Sequence, residues 1–172
     1  CPNIARRGAL VGGTPESASE DVKAVRDRVH RPLLVKMAPV RVPEIARACE
    51  AAGADALCLI NTINGMHLNV RTRRSMLSKP TGGVSGPAIH AIAVRMVWEA
   101  ANAVKIPING MGGVATWEDA AEMILAGATS VTVGTASFYD PTAAVKIVDG
   151  LAAWAAEQGV SDITELIGAA EC

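Results

Sequence analysis

Short apolar runs alternate with amphipathic helical segments along most of the chain, and this alternation constrains the fold more than any other feature. The apolar runs predict β-strands at 32–37, 54–60, 106–110 and 130–134. Helical spacing of apolar residues predicts helices at 15–29, 42–52, 87–104, 116–126 and 141–157. Strands that are apolar throughout and separated by helices are typical of a parallel sheet with right-handed crossovers.

This strand count leaves two architectures open. A complete flavodoxin-like sheet fits the pattern, and so does part of a (β/α)8 barrel, which needs about 250 residues. A chain of 172 residues with these strands would form half of such a barrel. Half of the residues are hydrophobic and only 3% are aromatic, which favours a sheet covered by helices over a β-sandwich.

Composition excludes several kinds of partner and compartment. The net charge of −1 gives no electrostatic reason to bind nucleic acid or an anionic membrane. No apolar run reaches the roughly 18 residues of a membrane span. The four cysteines lack metal-ligand spacing, so we expect no metal and a reducing, cytoplasmic location. Cys49 and Cys58 lie on predicted apolar faces, and we expect both to be core thiols.

Polar residues and glycines collect where the predicted strands end. They are Lys36, Asn61, Thr62, Gly112, Gly113, Gly134 and Thr135. Carboxyl ends of parallel strands are where barrels and open sheets bind ligands, and barrels often bind phosphate after strands seven and eight. If the glycine loops follow those strands, the earlier two are strands five and six. The opening segment is then the loop after strand four, which places Cys1 at the active-site face.

Each of these features also has an ordinary explanation. A lysine at a strand end is usually solvated, Asn-Thr after a strand is often a turn, and Gly-Gly before a helix is often only a tight turn. The glycine-rich run TGGVSGPAIH at 81–90 is explained by a flexible loop before a helix, and it lacks the GxGxxG order. The joint placement at one edge of the sheet favours a ligand site.

Several segments together resemble dihydroorotate dehydrogenase, and within that family the NAD-linked class 1B catalytic subunit. They are CPN, VKMAP, AGADALCLINTINGM, TGGVSGPAI, INGMGGVATWEDAAEMILAGATSVTVGTASFYDP and ELIGAAEC, in that order along essentially the whole chain. The resemblance implies a (β/α)8 barrel, with residues 1–172 forming a single partial barrel domain. This half-barrel would contain strands five to eight and the loop after strand four.

The resemblance also implies roles for individual residues. Cys1 matches the base that removes the C5 proton of dihydroorotate, and Asn3, Asn61 and Thr62 match substrate-binding residues. Lys36 matches a flavin-contacting lysine whose charge favours the anionic reduced flavin. The positions that match FMN contacts are Lys36, Ile60, Gly86, Gly112, Gly113, Gly134 and Thr135.

The implied activity is oxidation of (S)-dihydroorotate to orotate in pyrimidine biosynthesis. Electrons would pass through FMN to a partner subunit that carries FAD and a [2Fe–2S] cluster and reduces NAD, and the catalytic subunits would form a homodimer. A related candidate is the FMN domain of dihydropyrimidine dehydrogenase, and a third is a non-catalytic half-barrel fragment. Because the family's first strands are not in this sequence, we expect the isolated chain to bind FMN weakly.

Some positions depart from the family pattern. Val11 stands where an aromatic residue is usual, Asn109 puts an amide on a normally apolar strand, and His90 replaces a common lysine.

Overall fold

The computed structural model describes residues 5–6 and 9–171. The strands are β1 Ala5–Arg6, β2 Ala9–Leu10, β3 Leu34–Lys36, β4 Ala56–Leu59, β5 Ile63–Gly65, β6 Leu68–Asn69, β7 Arg74–Ser75, β8 Gly82–Val84, β9 Ile108–Met111 and β10 Ser130–Thr132. The helices are α1 Pro15–Arg26, α2 Val42–Ala51, α3 His90–Ala101, α4 Trp117–Leu125, α5 Ala136–Tyr139 and α6 Ala143–Glu157, with 3-10 turns at Pro87–Ile89 and Ile163–Leu166.

The central sheet confirms the predicted parallel strands. Its order is β10-β9-β4-β3, and every neighbouring pair is parallel. In this register Lys36 lies opposite Cys58, Cys58 opposite Asn109, and Asn109 opposite Ser130. We call these four residues the polar row, because they cross all four strands on one face of the sheet.

The other face of the sheet forms the hydrophobic core with the helices. Leu57, Leu59 and Ile108 are at most 2% exposed, and they alternate with residues of the polar row as the two-residue period of a strand requires. Cys49 of α2 and Val97 of α3 are fully buried in the same core. Complete burial of one such aliphatic side chain stabilises the fold by about 1.5–3 kcal/mol.

The predicted helix at 87–104 is two elements, a 3-10 turn and an α-helix. A 3-10 turn at Pro87–Ile89 precedes α3, and Gly86 before it has φ of 88°. The buried side chains of α3 are His90, Ala93, Met96, Val97 and Ala100, and Ile89 of the turn is buried on the same side, whereas Ile92 is 41% exposed.

The polar stretch 61–86 contains structure that the sequence did not indicate. β5 pairs with β8 and β6 pairs with β7, both antiparallel, so the excursion between β4 and α3 contains one strand pair nested within another, and we call it the hairpin arm. β1 and β2 form a further antiparallel pair. Short strands rich in Gly, Asn and Arg lack the alternation that reveals a half-buried strand.

Helix α4 begins with a capping box. Thr116 Oγ1 accepts a hydrogen bond from the Asp119 amide, and the Asp119 carboxylate accepts from the Thr116 amide at 2.9 Å and the Ala115 amide at 2.8 Å. This arrangement fixes the Asp119 side chain beside α3. Within the described part of the chain, no helix is both long enough and apolar enough to span a bilayer.

Candidate functional site

A cleft of about 190 Å³ lies at the carboxyl ends of the four parallel strands. The predicted site residues that line it are Lys36, Ile60, Thr62, Gly86, Gly112, Gly113, Gly134 and Thr135. The structure thus brings together every residue predicted to contact FMN. Asn61 adjoins the cleft without lining it, and Cys1 and Asn3 lie outside the described residues.

The cleft also contains residues that sequence reasoning missed, namely Ser85, Ile89, Met111, Val114 and Thr132. Ser85 and Ile89 lie in the glycine-rich run 81–90, which had an ordinary explanation as a flexible loop. Met111 directly precedes the Gly112–Gly113 turn. Their proximity in the sequence to the predicted glycines is the signal that could have identified Ser85, Ile89 and Met111.

The turn at Gly112–Gly113 closes one side of the cleft and requires glycine. The two residues follow β9 with φ of 136° and 74°, which L side chains rarely adopt. A Cβ on Gly113 would lie 2.8 Å from the Gly86 carbonyl oxygen, and one on Gly112 would lie 2.6 Å from the Ala93 Cβ. The turn therefore packs directly against the backbone of the Gly86 loop and against α3, which leaves no room for a side chain at either glycine.

The second glycine loop, Gly134–Thr135, faces open space. A Cβ on Gly134 would meet no atom within 4 Å, which leaves room for a bound molecule to approach the backbone. The Thr135 hydroxyl donates a hydrogen bond to the Ser85 hydroxyl at 2.9 Å. The loop after β10 is therefore joined to the loop that precedes α3.

Backbone donors in these two loops are available to a ligand. Within the described residues, no group accepts a hydrogen bond from the amides of Gly112, Gly113, Gly134 or Thr135. Clustered N–H groups of this kind bind anions, since each contributes a positive partial charge. Together with the Lys36 ammonium at the same cleft, they suit a phosphate-bearing ligand.

The polar row lies on the cleft side of the sheet. The Asn109 carboxamide donates to Ser130 Oγ at 2.8 Å and accepts from Thr132 Oγ1 at 2.7 Å, so its hydrogen-bonding groups are satisfied. Cys58 is half-buried, so the expectation of a core thiol at this position is wrong. Burial raises the pKa of the Cys58 thiol, and the Lys36 charge partly offsets that rise.

Ile60, Asn61 and Thr62 continue from β4 toward the cleft. The Ile60 amide donates to the Met111 carbonyl at 2.7 Å, and the Asn61 amide donates to the Met37 carbonyl at 3.1 Å. Asn61 Oδ1 accepts from the Thr62 amide at 2.8 Å. These bonds hold the segment between its neighbouring strands and leave the Asn61 Nδ2 donors for other partners.

His90 lies behind the Gly112–Gly113 turn. Its Nδ1 is 2.9 Å from the Gly112 carbonyl oxygen, and its Nε2 is 3.7 Å from Asp119 Oδ1 and 3.4 Å from Glu122 Oε2. The side chain is about one-tenth exposed. Within the described residues, no group of three or more His, Cys, Asp or Glu side chains is arranged to hold a metal ion.

A parallel sheet with helices on one face and a ligand cleft at its carboxyl ends defines the chain as part of an α/β barrel. A solved structure supports this: dihydroorotate dehydrogenase from Eimeria tenella, in complex with ferulenol, superposes with a TM-score of 0.77 at 24% identity. The match covers 91% of this chain and 49% of that protein, so the chain corresponds to half of the barrel. The predicted half-barrel is confirmed.

Sequence comparison gives the family. The sequence profile of dihydroorotate dehydrogenase matches residues 1–154. The catalytic subunit of dihydroorotate dehydrogenase B (NAD(+)) from Trichlorobacter lovleyi is 50% identical over 99% of this chain, and that from Bacteroides fragilis is 44% identical over 99%. The chain belongs to the dihydroorotate dehydrogenase family. It spans 57% of the length of each of these relatives.

Proposed function

We propose that this chain forms the FMN-binding half of a dihydroorotate dehydrogenase that oxidises (S)-dihydroorotate to orotate in pyrimidine biosynthesis. The observation that carries the proposal is the single cleft that contains Lys36 and both glycine loops at the carboxyl ends of the strands. The names of the relatives, which are catalytic subunits of NAD-linked enzymes, support the same reaction.

The cleft fits FMN by the chemistry of its donors. The amides of Gly112, Gly113, Gly134 and Thr135 suit a phosphate, and Gly134 leaves open space beside it. Ile60 is 3% exposed and supplies an apolar contact for a ring system. The Lys36 ammonium adds positive charge at the end of β3. FMN, when bound, supplies the acceptor for the hydride that leaves C6 of the substrate.

The chain's own residues then have defined tasks. The Cys1 thiolate removes the C5 proton, for which the thiol must first ionise, since only the thiolate is a base. Asn3, Asn61 and Thr62 hydrogen-bond the substrate and hold C5 toward Cys1. The free Nδ2 donors of Asn61 suit a carboxylate or a carbonyl oxygen of dihydroorotate.

The remaining assignments extend the same proposal. Electrons pass to NAD through a partner subunit that carries FAD and a [2Fe–2S] cluster, and the catalytic subunits form a homodimer. Residues 1–172 form one partial barrel domain, and the protein is cytoplasmic.

The reaction is tested with the longest native chain that contains these residues. We expect flavin absorbance to co-purify and dihydroorotate, not dihydrouracil, to bleach it under anaerobic conditions. Cys1→Ala should retain FMN and lose the bleaching, whereas Cys172→Ala should behave as the parent protein. Bleaching by dihydrouracil instead would favour the dihydropyrimidine dehydrogenase alternative, and absence of flavin would reject the proposal.

A further inference from the structure

His90 is placed to control the shape of the Gly112–Gly113 turn. It is the first residue of α3, is 8% exposed, and lies against the turn so closely that a Cβ on Gly113 would be 2.8 Å from the His90 Cβ. The backbone of α3 is fixed by the core, since Ala93 and Val97 are fully buried. The ring therefore has a rigid base from which to hold the turn.

The contact at Nδ1 fixes the direction of one hydrogen bond. The Gly112 carbonyl oxygen, 2.9 Å away, can only accept, so Nδ1 must carry the proton and donate. A carbonyl held in this way sets the orientation of the Gly112–Gly113 peptide plane, because the peptide unit is planar. The Gly113 amide belongs to that same plane, so its direction into the cleft depends on His90.

The other ring nitrogen faces acidic residues of α4. Nε2 is the one buried side-chain polar atom without a hydrogen bond in the described part of the chain. The nearest charges are carboxylate oxygens of Glu122 at 3.4 Å and Asp119 at 3.7 Å. Asp119 cannot move freely, since the capping box holds its other oxygen. Neither carboxylate forms a hydrogen bond with Nε2, so the bond from Nδ1 to Gly112 is the one hydrogen bond of the ring in the described part of the chain.

We propose that His90 is a positioning residue that aims the Gly113 amide into the cleft through its Nδ1–H bond to the Gly112 carbonyl. The inference rests on the proposed function, because the ligand of that amide is taken to be the phosphate of FMN.

Two amide substitutions separate this role from simple packing. The Asn Nδ2 occupies the position of the His Nδ1 and can donate to Gly112, whereas the Gln amide reaches the position of Nε2. We expect His90→Asn to bind FMN within about threefold of the parent protein. We expect His90→Gln to raise the dissociation constant of FMN about tenfold, because a buried carbonyl loses its donor and the turn loses its orientation.

The measurement is titration of FMN into apoprotein of the longest native chain, followed by quenching of flavin fluorescence. Thermal unfolding of each apoprotein is recorded in parallel. A packing role would lower both variants' affinities alike, or in proportion to their melting temperatures, and would overturn the inference. The control is His30→Gln, a change at an exposed residue that does not line the cleft, and this variant should bind FMN as the parent does. Failure of the parent itself to bind FMN would reject the proposed function instead.

Discussion

The hydroxyl groups of Thr135 and Ser85 lie 2.9 Å apart and join two loops that are 50 residues apart in the chain. Thr135 follows the last strand of the sheet, and Ser85 precedes Gly86 and the 3-10 turn that leads into α3. A Cβ on Gly86 would lie 3.4 Å from the Thr135 Cγ2, so the loops also pack together. The bond closes one side of the cleft without involving a charged group.

The hydrogen bond between Thr135 and Ser85 should give a measurable coupling energy in a double-mutant cycle of unfolding free energies. Thr135→Val keeps the shape of the side chain and removes the hydroxyl, and we expect it to lower the free energy of unfolding by about 1 kcal/mol. Ser85→Ala should have a similar effect. In urea denaturation the double variant should be no less stable than either single variant, because both remove the same bond. Fully additive losses would show that the two hydroxyls act independently.

Gly113→Ala should be strongly destabilising because it adds both backbone strain and a collision. The φ of 74° costs an L residue about 1–2 kcal/mol. The contact with the Gly86 carbonyl adds about 1–3 kcal/mol, because neither backbone can move cheaply. Gly159→Ala is the matched control, since Gly159 has φ of 68° and open space around it. Chemical denaturation that gave equal losses for both would exclude the close contact at Gly113.

The two described cysteines should differ in reactivity. Burial raises the pKa of the Cys49 thiol to about 11, whereas Lys36 opposes the rise at half-buried Cys58. At pH 8 we expect iodoacetamide to label Cys49 roughly tenfold more slowly than Cys58, because only the thiolate reacts. Peptide mass spectrometry over time measures both rates in one sample.

The raised pKa of the Cys49 thiol makes the free energy of unfolding depend on pH in a definite direction. The folded pKa lies above the value of 9.0 for an unperturbed thiol, so the unfolded chain ionises first. The contribution of the neutral thiol to stability is therefore complete below pH 9.0 and is lost as the pH rises toward about 11. Faster labelling of Cys49 than of Cys58 at pH 8 would contradict the burial of its side chain.

Asp55 should stabilise the fold through its negative charge. Its carboxylate accepts a hydrogen bond from the Leu33 amide at 2.6 Å and pairs with the Arg26 guanidinium. These contacts, the Leu33 bond foremost, hold the pKa of Asp55 below its usual value of 3.8. The stabilisation is thus fully present above pH 3.8 and disappears as the pH falls through the lower folded value.

The test of Asp55 is the pH dependence of unfolding. Asp55→Asn should be less stable than the parent at pH 7, and the difference should shrink as the solution is acidified below pH 4. Asp149→Asn makes the same change of charge on the exposed side of α6 and should show no such trend. A difference that stayed constant down to the acid limit would mean that the charge of Asp55 contributes nothing.

The sequence predicted the elements whose apolar periodicity is strong. The sequence predicts all four strands of the parallel sheet. It also predicts that Lys36 and both glycine loops lie together at the carboxyl ends of these strands. Strand ends were less certain. The predicted strand at 106–110 is β9 at Ile108–Met111, and the Met111 carbonyl at its end accepts from the Ile60 amide. That contact depends on the tertiary structure, so the local pattern of apolar residues does not predict it.

Features set by contacts between distant segments could not be predicted in this way. The hairpin arm at 61–86 is held by antiparallel pairing of short polar strands, which has no apolar alternation to reveal it. The sequence shows that Asn109 is an amide on an apolar strand, but its partners Ser130 and Thr132 follow only from the register of β9 with β10. The contacts of His90 likewise come from α4 and the glycine turn, which are distant in the sequence.

The polar row forms only when all four strands are paired in the correct register. Each of its members comes from a different strand, and side chains alternate between the two faces of a sheet. A slip of one residue in β9 would turn the Asn109 amide into the helix-covered core and place Ile108 or Gly110 on the face of the polar row. Only a chain with all four strands correctly aligned places Cys58, Asn109 and Ser130 in one row with Lys36, the member of the row that lines the cleft.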